Sequence, residues 1–152
     1  MLHIVLYQPE IPHNTGAAGR LCLATGARLH LIKPLGFSLE DKYLKRSGLD
    51  YWAEVDVRVW DTWEEMHATA APESEFFYVE VQGEKLHWEA DFTRSQELYL
   101  VFGPETRGVP EALMKSHPDQ VLRIPMRGTR SLNLATAVAI TLYEAVRQRG
   151  GL

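Results

Sequence analysis

The sequence holds a single cysteine, Cys22, so an internal disulfide is excluded and nothing points to an oxidising compartment. It contains no uninterrupted apolar run long enough to span a bilayer, which argues against a membrane partner. The first residues lack the charged and apolar regions of a signal peptide, and their apolar run reads as a strand instead. The cytoplasm is the expected compartment. Six histidines (His3, His13, His30, His67, His87 and His117) make no metal-ligand spacing with one another or with Cys22, so no metal is expected. G-x-G-x-x-G, the Gly-Lys-Ser/Thr of a phosphate-cradling loop and the G-x-S-x-G elbow are all missing. Their absence argues against dinucleotide binding, P-loop chemistry and serine-hydrolase chemistry. No internal repeat, low-complexity tract or linker divides the chain.

What is present suits one domain over residues 1–152, with 45% hydrophobic and 24% charged residues. The formal net charge of −4 runs against a nucleic-acid partner, which usually calls for a basic protein. Its distribution is uneven. Residues 1–53 carry six Lys/Arg and four Asp/Glu, residues 98–152 carry seven and four, and residues 54–97 carry three and twelve. If the two basic ends meet in space, a phosphate-binding face can coexist with a negative total. Taken alone, the charge favours a solvated acidic surface with no partner.

Short apolar runs alternate with helical stretches. Strands are expected at Leu2 to Tyr7, Arg28 to Ile32, Val55 to Trp60, Phe76 to Val81, Leu98 to Phe102 and Val121 to Ile124. A helix over Asn14 to Thr25 has Asn14 as a possible cap and Gly26 as its stop. Ser38 can cap a helix over Leu39 to Arg46 with Gly48 beyond its end, and Asp61 with Glu64 resembles a capping box for a helix to Thr69. Pro110 to Ser116 and Asn133 to Gln148 complete the set. The alternation implies an α/β fold, a mostly parallel sheet flanked by helices on both faces. Ligands of such sheets sit beyond the carboxyl ends of the strands, where the loops after Tyr7, Phe102 and Ile124 lie.

Those three loops carry the unusual residues. Asn14-Thr-Gly-Ala-Ala-Gly-Arg20 follows the first strand; the six-residue spacing keeps Asn14 and Arg20 off one helical turn. Ala17, Ala18 and Gly19 leave a low surface against which another backbone can pack, and Cys22 among Leu21, Leu23 and Ala24 reads as a small buried hydrophobe. Phe102-Gly-Pro-Glu-Thr-Arg-Gly108 is a rigid turn where backbone can approach a ligand closely, with Glu105 and Arg107 as polar groups of opposite sign. Ile124-Pro-Met-Arg-Gly-Thr-Arg-Ser-Leu-Asn133 leads into the last helix, which Ser131 and Asn133 can cap; Arg127 and Arg130 can contact phosphate. That helix is apolar on more than one face, from Leu134 to Val146, which fits core burial plus a second contact. Each loop also has a plainer reading as helix capping and solvated arginines.

Together the three segments resemble the SpoU branch of the SPOUT RNA methyltransferases. N-x-G-x-x-x-R matches the first motif at Asn14, Gly16 and Arg20, FGPETRG the second, and IPM…SLN the third. The match runs in order over essentially the whole chain. Its brevity, the opening LHIVLYQPEIPHNTG and the segment GFSLEDKYLKRSGLDYW look most like the minimal members that methylate the wobble-position ribose of tRNA. The resemblance implies an α/β knot with a C-terminal trefoil, S-adenosyl-L-methionine (SAM) as cofactor, S-adenosyl-L-homocysteine as product, tRNA as substrate and a homodimer. It implies a cofactor pocket at Val79, Gly103, Ile124, Ser131 and Leu132. It also assigns Arg20 to activating the ribose hydroxyl beside a neighbouring phosphate, with Asn14, Glu105 and Asn133 positioning substrate and loops. The alternatives are another tRNA position or rRNA as target, or an RNA-binding module that has lost catalysis.

Overall fold

The computed structural model describes residues 1–47 and 51–152. Its first strand, β1 (Leu2–Tyr7), is followed by α1 (Pro12–Thr25) and β2 (Arg28–Ile32). Next come α2 (Lys42–Ser47), β3 (Val57–Trp60) and α3 (Trp63–Ala68). The second half runs β4 (Glu75–Val79), β5 (Lys85–Leu86), β6 (Leu98–Phe102), α4 (Glu111–Met114), β7 (Val121–Arg123) and α5 (Leu134–Gln148). The strands form one sheet in the order β3-β2-β1-β6-β4-β7-β5, and every pairing in it is parallel. The α/β expectation is met.

Burial on both faces explains why these strands read as nearly unbroken apolar runs. Along one face Ile4, Leu6, Leu29, Leu31, Leu100 and Phe102 pack against Ala18 and Cys22 of α1 and Val138, Leu142 and Ala145 of α5. The alternate residues Val5, Ile32, Tyr99, Val101 and Tyr78 pack on the other face with Trp63, Met66 and Met114. Each such fully buried side chain contributes roughly 1.5–3 kcal/mol relative to exposure.

Several boundaries differ from expectation, each for a local reason. Asn14 is not the cap of α1: Pro12 opens the helix, Ile11 is the cap residue and supplies no side-chain bond, and Gly26 ends it with φ 76°. Ser38 instead accepts from Glu40 N, and α2 starts at Lys42; the expected stop at Gly48 lies outside the described residues. Thr62, not Asp61, caps α3 by accepting from Glu65 N at 3.1 Å. The strand expected from Val55 is shortened because Val55 closes a 3-10 turn, Trp52–Glu54, by donating to Trp52 O, and β3 starts at Val57. Expected ends also shorten: β4 stops at Val79, β7 at Arg123, and α4 covers only Glu111–Met114. The low surface at Gly19 is filled by the chain's own Trp52, whose ring lies 2.7 Å from where a Gly19 Cβ would stand.

The topology decides where a ligand can sit. From β1 the chain steps outward through β2 and β3, and β6 then pairs on the other side of β1. The order therefore reverses between β1 and β6, and the registers Leu6↔Phe102 and Val79↔Leu122 bring the ends of β1, β6, β4 and β7 to one rim. Such a switch point leaves a crevice at the carboxyl ends of the strands.

Candidate active site

Two loops meet at that crevice and are joined by reciprocal carboxylates. Glu105, in the loop after β6, accepts from the backbone N–H groups of Glu10 at 2.8 Å and Ile11 at 3.1 Å. Glu10 reaches the other way and accepts from Thr106 N at 2.9 Å and Thr106 Oγ1 at 2.8 Å. Those donations hold the Glu10 carboxyl below the usual range. Arg107 Nη2 adds a bond to Gln8 Oε1 at 3.2 Å. Because α1 has no capping side chain of its own, the Glu105 carboxylate supplies the negative charge that its N-terminus favours.

A directional chain of amides crosses this junction. Asn133 caps α5, its Oδ1 accepting from Ala135 N at 2.9 Å and Thr136 N at 3.3 Å. Its Nδ2 must therefore donate, and does so to Asn14 Oδ1 at 2.9 Å. Asn14 Nδ2 in turn donates to Glu105 Oε2 at 3.1 Å. Since a carboxylate only accepts, both amide orientations are fixed from end to end. Residues 14, 105 and 133, remote in sequence, form one unit.

Next to that unit lies a cavity of about 320 Å³. Val79, Gly103, Ile124, Ser131 and Leu132, all expected to hold a cofactor, line it, as do Asn14, Glu105 and Asn133. Gly103 is required here on steric grounds, because a Cβ would overlap the backbone of Gly108 and Val109. Arg20 does not line the cavity. It is exposed on α1 with its guanidinium 5.9 Å from the centre of the Tyr51 ring. Among the described residues no group of His, Cys, Asp and Glu could hold a metal ion.

A model described as SpoU rRNA Methylase family matches residues 1–143. The chain belongs to the SpoU methylase family. A protein of Methylovorus glucosotrophus named tRNA (cytidine(34)-2'-O)-methyltransferase is 49% identical over 150 residues, covering 97% of this chain and 96% of its own. A solved structure giving insights into the 2-OH methylation of C/U34 on tRNA superposes with a TM-score of 0.91 at 48% identity, covering 98% of this chain and 96% of the other. The SpoU methyltransferase AviRb of Streptomyces viridochromogenes, in complex with AdoMet, has a TM-score of 0.82 at 29% identity, covering 98% and 60%.

The lining of the cavity in this SpoU methylase is mixed apolar and polar. Apolar side chains of Val79, Phe102, Ile124, Leu132 and Leu134 face it beside the bare backbone at Gly103. Among the described residues its charged lining groups are Glu80 and Glu105, with no Lys or Arg. Cations stand on its flanks: Arg107 and Lys115, with Glu84 and Glu111, line an adjoining groove that shares Pro104 and Gly108, while Arg123 and Arg130 line another that shares Ile124 and Met126. Sequence reasoning missed Glu10 and Glu80. Glu10 lies in the segment ahead of a proline-started helix and carried no motif; for Glu80, an acid directly after the apolar run FFYV was the available sign.

Proposed function

We propose that this chain transfers the methyl group of SAM to the ribose 2′-hydroxyl of tRNA nucleotide 34, a cytidine or modified uridine. The observation that carries the reading is the cavity closed by the loops after β1, β6 and β7, with Asn133, Asn14 and Glu105 hydrogen-bonded along its rim. The SpoU family match and the wobble-position relatives support the reaction and the target. When bound, SAM would supply an electrophilic methyl for the ribose 2′-oxygen.

The chain's own residues would then act by position. Gly103, Ile124, Ser131 and Leu132 offer backbone and small groups to the adenosine, and Val79 offers an apolar wall. Asn14 and Asn133, locked by their hydrogen bonds, present a fixed polar edge toward substrate. Alignment of this kind supplies a large share of the rate in a transfer needing no metal. Arg107, Lys115, Arg123 and Arg130 supply flanks for the phosphates of tRNA.

The same reading takes residues 1–152 as one domain whose C-terminal part threads into a trefoil knot. It makes the protein a cytoplasmic homodimer. Arg20, which lies off the cavity within one subunit, would activate the ribose hydroxyl from an interface built by α1 and α5; exposed Tyr143 and the partly covered Ala139 and Ile140 of α5 are available for it. Calorimetry with SAM and nucleoside mass spectrometry of tRNA from a deletion strain test the proposal. Unchanged ribose methylation at position 34 removes the substrate assignment. Loss at a different tRNA or rRNA position keeps the reaction and moves the target.

A further inference from the structure

The wall of the cavity formed after β4 holds a carboxylate that the three family motifs do not include. Glu80 has its backbone tied on both sides, N–H to Leu122 O at 2.9 Å and C=O accepting from Gly83 N at 3.1 Å. Its side chain accepts from Val81 N through Oε1 at 3.0 Å and from Val109 N through Oε2 at 2.6 Å. Gly108, with φ 72°, lies against this carboxylate, so that any Cβ there would collide with Oε2. The Gly108–Val109 backbone is also what a Cβ on Gly103 would strike. Glu80, the Gly108–Val109 peptide and Gly103 are thus stacked in one wall of the cavity.

The two acidic groups of the cavity differ in how their charge is used. Glu105 takes three donors and is turned into the junction with α1. Glu80 takes one backbone donor on each oxygen, and each oxygen retains a free lone pair. Among the described residues no Lys, Arg or His forms an ion pair with it. A half-buried carboxylate without a counter-cation in a cavity wall creates a field that favours a cationic occupant over a neutral one of the same shape.

We propose that Glu80 is a specificity-determining residue, its carboxylate selecting the positively charged methyl donor over the neutral demethylated product. The inference rests on the reading of the cavity as a SAM site. SAM and S-adenosyl-L-homocysteine differ by one methyl and one unit of charge at sulfur, so a loop brace alone would serve both equally. The carboxylate would hasten exchange of product for fresh donor after each transfer.

The test measures dissociation constants by calorimetry for SAM, S-adenosyl-L-homocysteine and sinefungin, whose ammonium replaces the sulfonium. Glu80→Gln keeps the side-chain length and one acceptor oxygen while removing the charge. Expected is weakening of SAM and sinefungin by about tenfold, the scale of one partly screened charge contact, with the homocysteine product changed less than about threefold. Glu80→Asp is expected to restore most of the preference. A common factor for all three ligands, or no change in any, overturns the proposal and leaves Glu80 as a brace. Failure of the unaltered protein to bind either nucleoside overturns the cavity reading itself, and the two failures are thereby distinguished.

Discussion

Acidification from pH 7 to 5 should weaken the fold through a buried histidine pair under the sheet. Trp60 Nε1–H donates to His30 Nδ1 at 3.0 Å, so the proton of His30 must sit on Nε2. That nitrogen lies 2.9 Å from His3 Nδ1, and His3 Nε2 lies 3.2 Å from Glu97 Oε1. The chain is complete only with both rings neutral; an added proton on either nitrogen-to-nitrogen contact finds no acceptor. Both rings are 2% exposed, and His3 stacks on Tyr99 with centroids 4.0 Å apart. Burial, then the neighbouring His3, Arg28 and Arg58, pushes His30 down to about 3. His3 is lowered as well, by burial, against the opposing pull of Glu97. A base whose folded value is depressed binds its proton more readily when unfolded, so stability is complete above pH 6.5 and falls as pH drops toward 3. At pH 5 the His30 contribution alone is 1.5 units at about 1.4 kcal/mol each, or about 2 kcal/mol. Asp56, held low by the hydrogen bond from Arg28, titrates below this window. Urea unfolding followed by circular dichroism at fixed protein concentration measures the effect. A free energy constant to within about 0.5 kcal/mol from pH 7 to 5 refutes the neutral-pair assignment. His30→Asn should flatten the slope while lowering stability at pH 7.

Three further outcomes follow from the site. Gly103→Ala should abolish measurable SAM binding, because the added methyl cannot coexist with the Gly108–Val109 backbone; calorimetry with native affinity would contradict the cradle. Glu105→Gln should lower stability by about 1–3 kcal/mol, since it weakens charge-assisted bonds to Glu10, Ile11 and Asn14 at the start of α1. Thermal unfolding checks it, and an unchanged midpoint counts against the reciprocal clasp. Asn133→Asp should preserve the cap of α5 but lose the donor to Asn14, so methyl transfer should fall at least about tenfold with helix content unchanged, as read by single-turnover assay and circular dichroism.

The sheet was legible where burial made it so. Leu2–Tyr7, Arg28–Ile32 and Leu98–Phe102 occur as expected, since each is a compact apolar run at the middle of a sheet covered on both faces. Strand β5 escaped notice because two residues, Lys85–Leu86, carry no pattern of their own and exist by pairing with β7. Caps shifted by a residue or more where a competing local bond won, as with Thr62 over Asp61. The expected cavity residues came from the family resemblance, all but Val79 from its three motifs, and not from periodicity. What the motifs did not convey was partnership: Glu105 and Asn14 are 91 positions apart, and only the fold shows that one donates to the other. Glu80 lies outside every motif and is brought to the cavity by the insertion of β7 between β4 and β5.

The uneven charge of the sequence now has a physical division of labour. A negative total of −4 opposes long-range attraction of a polyanion. Of the acids in residues 54–97, Glu80 faces the cavity proposed for a cationic cofactor, while Glu84 lines one of the flanking grooves. The flanks take their Arg and Lys from residues 98–152; Glu84 and Glu111 offset the cations of the first groove, whereas the groove with Arg123 and Arg130 holds no acid among the described residues, so phosphate there and sulfonium in the cavity would meet opposite fields. Screening over about 10 Å at 0.1 M salt lets those local fields act separately from the total. The consequence is testable on one variant: Arg130→Ala should weaken tRNA binding across sequences and reduce the slope of log affinity against log salt by roughly one, while leaving SAM affinity unaltered. An unchanged salt slope would place the phosphate contacts elsewhere.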